Sequence, residues 1–188
     1  MTYSLPRAVV LRRRATEAPR RMNRDAQDIY SRPGHLVRRL QQIAVAIFME
    51  ETAEFDVTPV QYSALLAVRN HPGIDQTSLM KIIAFDRSTI GDVVKRLENK
   101  RLIRRATSDA DRRTKILSIT PSGRHLLSKV KKAVDAAQDK IVAPLSREER
   151  REFMRMMHKL VQLNNDHSRV PMQLSEWPER ETPQVPLK

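Results

Sequence analysis

The sequence contains no cysteine. Disulfide scaffolds, Cys-ligated zinc and thiol redox sensing are therefore excluded. Glycine is scarce, with four in 188 residues. No nucleophile elbow, Walker loop, dinucleotide fingerprint or metal motif occurs, so the sequence points away from an enzyme and calls for no cofactor. The five histidines, at 35, 71, 125, 158 and 167, form no i, i+4 pair of the kind that holds zinc. Aromatic residues make up only 4% of the chain, too few for a base-stacking platform on single strands. No apolar run approaches the ~20 residues of a membrane helix, and the start has no secretory apolar region. The Arg-rich, acid-poor start faintly resembles an organelle transit peptide but reads better as a basic arm. The expected location is the cytoplasm, with no membrane partner.

Positive charge is what the chain has in excess. Lys and Arg number 35 against 22 Asp and Glu, a formal net charge of +13. An imbalance of this size favours a polyanionic partner, and the scarcity of aromatics favours duplex DNA among them. The charge is unevenly spread. Residues 86–115 hold ten Lys or Arg and five Asp or Glu, a local net of +5.

Residues 1–30, with Arg12-Arg13-Arg14 and Arg20-Arg21, read as a basic disordered extension. Residues 169–188 read as an irregular Pro-rich tail carrying Pro171, Pro178, Pro183 and Pro186. Between them the pattern is mainly helical. Leu36, Leu40, Ile43 and Ile47 line one face of a long first helix. Thr58-Pro59 starts a second, with Val60, Ala64, Leu65 and Val68 inward, and His71-Pro72-Gly73 stops it. A short third helix carries Leu79, Ile82 and Ile83, with Asp75 or Thr77 as its cap. Asp86 caps a fourth containing Ile90, Val93, Val94 and Leu97. Two strands, Leu102 to Ala106 and Lys115 to Ile119, flank the polar loop Ser108-Asp109-Ala110-Asp111-Arg112-Arg113. Thr120-Pro121 opens a fifth helix with Leu126, Val130, Ala133, Ala137 and Ile141. Ser146-Arg147-Glu148-Glu149 is a capping box for a sixth, with Phe153, Met157 and Leu160 inward.

Two short helices followed by a basic hairpin are the layout of a winged helix-turn-helix. The fourth helix is the candidate reader. Its apolar stripe faces away from Ser88, Gly91, Asp92, Lys95, Arg96 and Asn99. Gly91 in a helix interior costs about 1 kcal/mol relative to alanine, and the absent side chain lets the backbone approach a groove wall. Arg87, Ser88 and Thr89 occupy the first turn, where side chains and amides reach phosphates and base edges. In the hairpin, Arg112 or Arg113 suits a narrow minor groove, held in position by the forked hydrogen bonds that its guanidinium donates to Asp109 or Asp111. Without the hairpin, the polar face could simply be solvated.

The run Asp86-Arg87-Ser88-Thr89-Ile90, Val94, Leu97-Glu98-Asn99-Lys100 and Leu102-Ile103-Arg104-Arg105 resembles the reader helix and first wing strand of the MarR family of transcriptional regulators. Ser108-Asp109-Ala110-Asp111-Arg112-Arg113 with Leu117-Ser118-Ile119-Thr120-Pro121-Ser122-Gly123 is similar to that family's wing signature. The resemblance covers about residues 32–167 and departs at Lys100-Arg101, where the family often has a glycine closing the helix. It implies a winged-helix domain over 31–168, with a DNA-binding lobe at about 57–120 and dimerisation helices at about 31–55 and 121–167. It further implies a homodimer on a pseudo-palindromic double-stranded operator, acting as a repressor that a small aromatic acid releases. His35, Arg38, Arg39 and Tyr62 are the candidate effector-binding residues: a cation, an imidazole and an aromatic wall suit a carboxylate on a ring. Arg38 and Arg39 are about 100° apart on their helix, so at most one faces such a ligand. A nonspecific architectural DNA-binder is the competing reading, supported by the basic extension.

Overall fold

The structure is a computed structural model that describes residues 29–108 and 113–172. Most of the basic extension, the hairpin residues 109–112 and the tail from 173 lie outside the described residues. The chain divides between Leu40 and Gln41 into two compact units. Helix α1 spans Pro33–Glu51. In the first unit the ring of Tyr30 meets that of His35 edge-on, with centroids 5.5 Å apart.

Each later helix opens on a side chain that accepts from the exposed amides of its first turn. Thr58 caps α2 (Pro59–Asn70) in a reciprocal box with Gln61. Asp75 caps α3 (Gln76–Ile83), resolving the choice between Asp75 and Thr77. Asp86 caps α4 (Arg87–Asn99), and Thr120 caps α5 (Pro121–Val142). Ser146 and Glu149 form the predicted box at the start of α6 (Arg147–Leu163).

The sheet has three strands, β1 (Ile74–Asp75), β2 (Ile103–Thr107) and β3 (Lys115–Ile119), in the order β1-β3-β2, all antiparallel. The sequence pattern gives only two of them. β1 is two residues long and exists because Ile74 pairs with Leu117, far along the chain. β2 starts one residue later than expected. The Leu102 amide donates to the Leu97 carbonyl, 2.9 Å, and the Arg101 amide to the Glu98 carbonyl, 2.8 Å. Leu102 thus belongs to the helix end, in a Schellman arrangement. Arg101 sits at φ 57°, in the left-handed region, at the place where the resembled family often has glycine. Ala84, φ 54°, does the same after α3.

The main core of the second unit joins α2, α3, α4 and the sheet through Leu65, Val68, Leu79, Ile90, Val94, Leu97, Ile103 and Leu117. A smaller cluster sets Phe48, Val57, Val130 and Val134 together, with Tyr62 packed against both. The buried stripe of α5 is Leu127, Val130, Val134 and Ala137. Leu126 and Ala133, expected inward, are half-buried, because α5 turns the neighbouring edge toward α2 and the sheet. Gly123 sets that rotation: a Cβ there would collide with the Leu102 carbonyl oxygen and lie 2.8 Å from Ile119 Cγ1.

α6 corrects the expectation of inward Phe153, Met157 and Leu160. None of its residues is buried, and Leu160 is 56% exposed. After α6 the chain folds back on itself. The Asn165 carboxamide accepts from the Met172 amide, 2.9 Å, and donates to the Met172 carbonyl, 3.1 Å.

Candidate nucleic-acid interface

The helix-turn-helix is built from α3, α4 and the turn Ala84-Phe85-Asp86. Left-handed Ala84 reverses the chain, and the amides of Ala84 and Phe85 both donate to the Met80 carbonyl. Asp86 then carries three bonds. It accepts from the Ser88 hydroxyl at 2.6 Å, the Thr89 amide at 2.9 Å and the Thr89 hydroxyl at 3.0 Å. Those bonds, the Ser88 hydroxyl first, hold its carboxyl down at about 2, well below the usual range.

Ile90, Val93, Val94 and Leu97 are buried and clamp α4 to the core. That leaves Arg87, Ser88, Asp92, Lys95, Arg96 and Asn99 exposed on the other side. The expected reader residues of α4 therefore lie outside its buried stripe, with two refinements. Thr89 is half-buried and both its donors are committed to Asp86. Gly91 is half-buried, and its missing side chain points at α3, where Gln76 Nε2 lies 3.7 Å from the place a Cβ would take.

The wing continues from the end of α4. Arg104 and Arg105 are exposed neighbours on β2, so their side chains leave opposite faces of the strand. Arg105 returns to Glu98 on α4 in a 3.0 Å ion pair, which ties the root of the hairpin to that helix. The Lys115 ammonium donates to the Thr107 hydroxyl at 2.6 Å, and the Ser108 amide to the Thr114 carbonyl at 2.9 Å, closing the hairpin's described end. Arg113 is exposed where the loop rejoins β3. Asp111 and Arg112 lie outside the described residues. Arg101, Arg104 and Lys115, expected at the helix end and on the two strands but not among the DNA-contacting residues, are exposed cations of the same segment. The far end of α4 is braced by Lys100, whose ammonium donates to the Asp56 carbonyl and pairs with its carboxylate at 2.8 Å.

Of the expected effector residues, His35 is half-buried and Arg38 and Arg39 are exposed on α1 in the first unit. Tyr62 is half-buried on α2 in the second unit, its ring centroid 6.1 Å from that of Phe48. A solvent-open hollow of about 460 Å³ in the second unit is lined by Phe55, Pro121, Ser122, His125, Leu126 and Lys129. It includes none of the expected residues. Among the described residues no cluster of acidic or histidine side chains is placed to hold a metal ion. Nor is any helix among them long and apolar enough to cross a membrane.

Comparison with known proteins agrees with this geometry. A sequence model of the MarR family matches residues 55–114, from the end of the α1–α2 connection through the hairpin. A Thauera aromatica protein named for transcriptional regulation of the hcr operon is 35% identical over 134 residues, spanning 71% of this chain and 81% of that protein. The Bordetella bronchiseptica regulator BpsR, whose DNA binding is regulated by 6-hydroxynicotinic acid, is 28% identical. Its structure superposes with a TM-score of 0.66 over 69% of this chain and 93% of that one. The transcriptional repressor CouR, solved on a 23-mer DNA duplex, is also 28% identical, with a TM-score of 0.67 over 71% of this chain and 95% of that one.

Proposed function

This chain belongs to the MarR family of transcriptional regulators, and on that premise we propose that it is a sequence-specific dimeric repressor, released from its operator by a small aromatic carboxylate. The observation that carries the DNA-binding part is the division of α4. Its apolar stripe is spent on the core, and Arg87, Lys95 and Arg96 are left exposed outside it. Such a face fits a major groove, with Ser88, Thr89, Gly91 and Asp92 close to the bases or backbone. The hairpin with Asp111, Arg112 and Arg113 follows the adjacent minor groove. The repressor CouR, similar in fold and sequence, supports both duplex binding and the direction of control.

Exposed apolar side chains support a homodimer. Leu36 and Val37 on α1, and Met156, Leu160 and Leu163 on α6, are each at least 45% exposed in the single chain. Helices over about 31–55 and 121–167 are assigned to dimerisation, and residues 57–120 to DNA. Two reader helices in such a dimer address half-sites about one DNA turn apart, roughly 34 Å, in a pseudo-palindrome.

The effector class rests on likeness to BpsR and on the residue types of His35, Arg38 or Arg39, and Tyr62, which are assigned to contact the ligand. A ligand releases DNA only through preference for the DNA-incompetent state; a hundredfold preference corresponds to about 2.7 kcal/mol. The test is a titration of aromatic carboxylates into the full-length protein bound to its own promoter, with random duplex as control. Release by at least one acid is expected, lost in one of Arg38→Ala, Arg39→Ala or Tyr62→Phe while DNA binding persists. Arg112→Ala is expected to weaken operator binding and leave the fold intact. Equal affinity for promoter and random duplex would instead make the protein an architectural DNA-binder. Failure of every acid would remove the effector class alone.

A further inference from the structure

We propose that Gln76, on the helix preceding the reader helix, reads a base edge beside α4 and so sets one position of the operator's sequence. The inference rests on the assignment of α4 to the major groove. It starts from the glycine. Gly91 stands in the interior of a reader helix, where glycine weakens the helix. The space its side chain leaves is turned toward α3 and has the Gln76 carboxamide against it, Nε2 lying 3.7 Å from the Cβ position. A long side chain at 91 would occupy the room in which that carboxamide lies.

Gln76 is the first residue of α3, and its backbone is held firmly. The Asp75 carboxylate accepts from the Thr77 amide at 2.7 Å, the Ser78 amide at 3.0 Å and the Ser78 hydroxyl at 2.6 Å. From that fixed root the side chain reaches across to α4. There Gln76, Thr77, Met80, Arg87 and Ile90 enclose a cleft of about 170 Å³ between the two helices. Around this junction Asp75, Ser78, Asp86, Ser88 and Thr89 are all engaged in capping bonds. Among the described residues the Gln76 carboxamide makes no such bond, so its donor and its acceptor are both available.

A carboxamide with both groups available is the side chain that pairs in two-pronged fashion with adenine N6 and N7 in the major groove. A phosphate contact is the usual task of the first helix of a helix-turn-helix, which crosses the DNA backbone. Gln76 differs in lying over Gly91, with its carboxamide in the cleft that it shares with Arg87 of α4. It is neutral as well, and gains nothing from the phosphate charge that a lysine at this place would exploit.

The experiment is selection of binding sites from a random-sequence duplex library by full-length wild type, Gln76→Ala and Gln76→Glu, with circular dichroism to confirm folding. Lys95→Ala with Arg96→Ala serves as a separate control on the reader face. In wild type we expect a motif with adenine preferred at one position of each half-site. Gln76→Ala should lose roughly tenfold or more of the discrimination at that position and keep the others. Gln76→Glu should shift the preference there toward cytosine, whose amino group a carboxylate accepts. An unchanged motif in both Gln76 variants overturns the proposal, as does a uniform loss of affinity with the motif intact, which marks a phosphate contact. In either case a wild-type motif that weakens in the Lys95 and Arg96 variants leaves the reader-helix assignment standing. Absence of any motif in wild type overturns both.

Discussion

Helices α4 and α6 are alike in construction and unlike in fate. Both open on a side-chain cap, Asp86 in one and the Ser146–Glu149 box in the other. Both carry an apolar stripe opposite a charged face. The stripe of α4 is covered by α2, α3 and the sheet, and Ile90, Val94 and Leu97 are fully buried. The stripe of α6 has Phe153 and Met157 half-buried and Leu160 open to solvent. A helical apolar pattern states that one face must leave water; it does not state which surface removes it. In α4 that surface is the same chain. In α6, on the reading proposed above, it is a second copy.

Substitutions on the two helices put this contrast to the test. The largest effect belongs to the core of α4. Leu97→Ala leaves a cavity in a fully enclosed site, and a loss of about 2–5 kcal/mol in chemical denaturation is expected. A loss below about 1 kcal/mol would mean that α4 is not fixed by this core. The matching change on α6, Leu160→Asp, should leave the single chain folded and act on association. Sedimentation should show the dimer dissociating at concentrations where wild type is intact, with a dissociation constant raised roughly a hundredfold or more, on the scale of a central apolar anchor. An unaltered dimer would show that the open stripe of α6 serves something else.

The polar side of α4 gives a smaller, more specific signal. Lys95→Ala and Arg96→Ala should each change stability by no more than about 0.5 kcal/mol. If each cation meets a phosphate, each variant should lower the salt slope of DNA binding by about one unit. Slopes equal to wild type would take these residues off the interface. At the end of the same helix, Arg101→Gly relieves a left-handed backbone at φ 57° and should raise stability by about 0.5–1 kcal/mol in thermal unfolding. A decrease would show that the Arg101 side chain does more for the fold than its backbone costs.

The smallest effect is the titration of the cap itself. The folded-state pKa of Asp86 is lowered to about 2, so its contribution to stability is complete above the ordinary unfolded value near 3.9 and is lost as pH falls through about 2. Carboxyl chemical shifts followed by NMR should place the midpoint close to 2, and Asp86→Asn should flatten that part of the stability profile. A midpoint near 4 would show that the Ser88 and Thr89 bonds do not persist in solution.

The parts of this protein that were readable in advance are those decided within a few residues. Thr58, Asp86, Thr120 and Ser146 mark helix starts because a short oxygen-bearing side chain can satisfy the amides two and three positions on. The buried face of α4 follows from spacing alone; on α2 spacing gives Ala64, Leu65 and Val68, while Val60 is half-buried and Gln61 and Ala67 are buried as well. The parts that were missed depend on distant partners. Strand β1 needs Leu117 opposite Ile74. The one-residue shift of the α5 stripe needs Gly123 pressed against Leu102 and Ile119. In the candidate interface, Lys95 and Arg96 were visible as charges on a helix face. Gln76 was not, because nothing in its own neighbourhood connects it to Gly91.

The order of the helices and of the two hairpin strands, most of the caps, the basic segment over residues 86–115 and the family to which the chain belongs are legible in the sequence alone, since each depends on local chemistry or on an unbroken run of residues. The third strand, the phase of α5, the left-handed closures at Ala84 and Arg101, and the approach of Gln76 to α4 emerge only in the folded chain. Among the described residues, packing also leaves the apolar face of α6 only partly covered. These outcomes depend on which surfaces meet. That is fixed by packing between segments far apart in sequence, where one steric condition, such as the room beside Gly123, outweighs local preference.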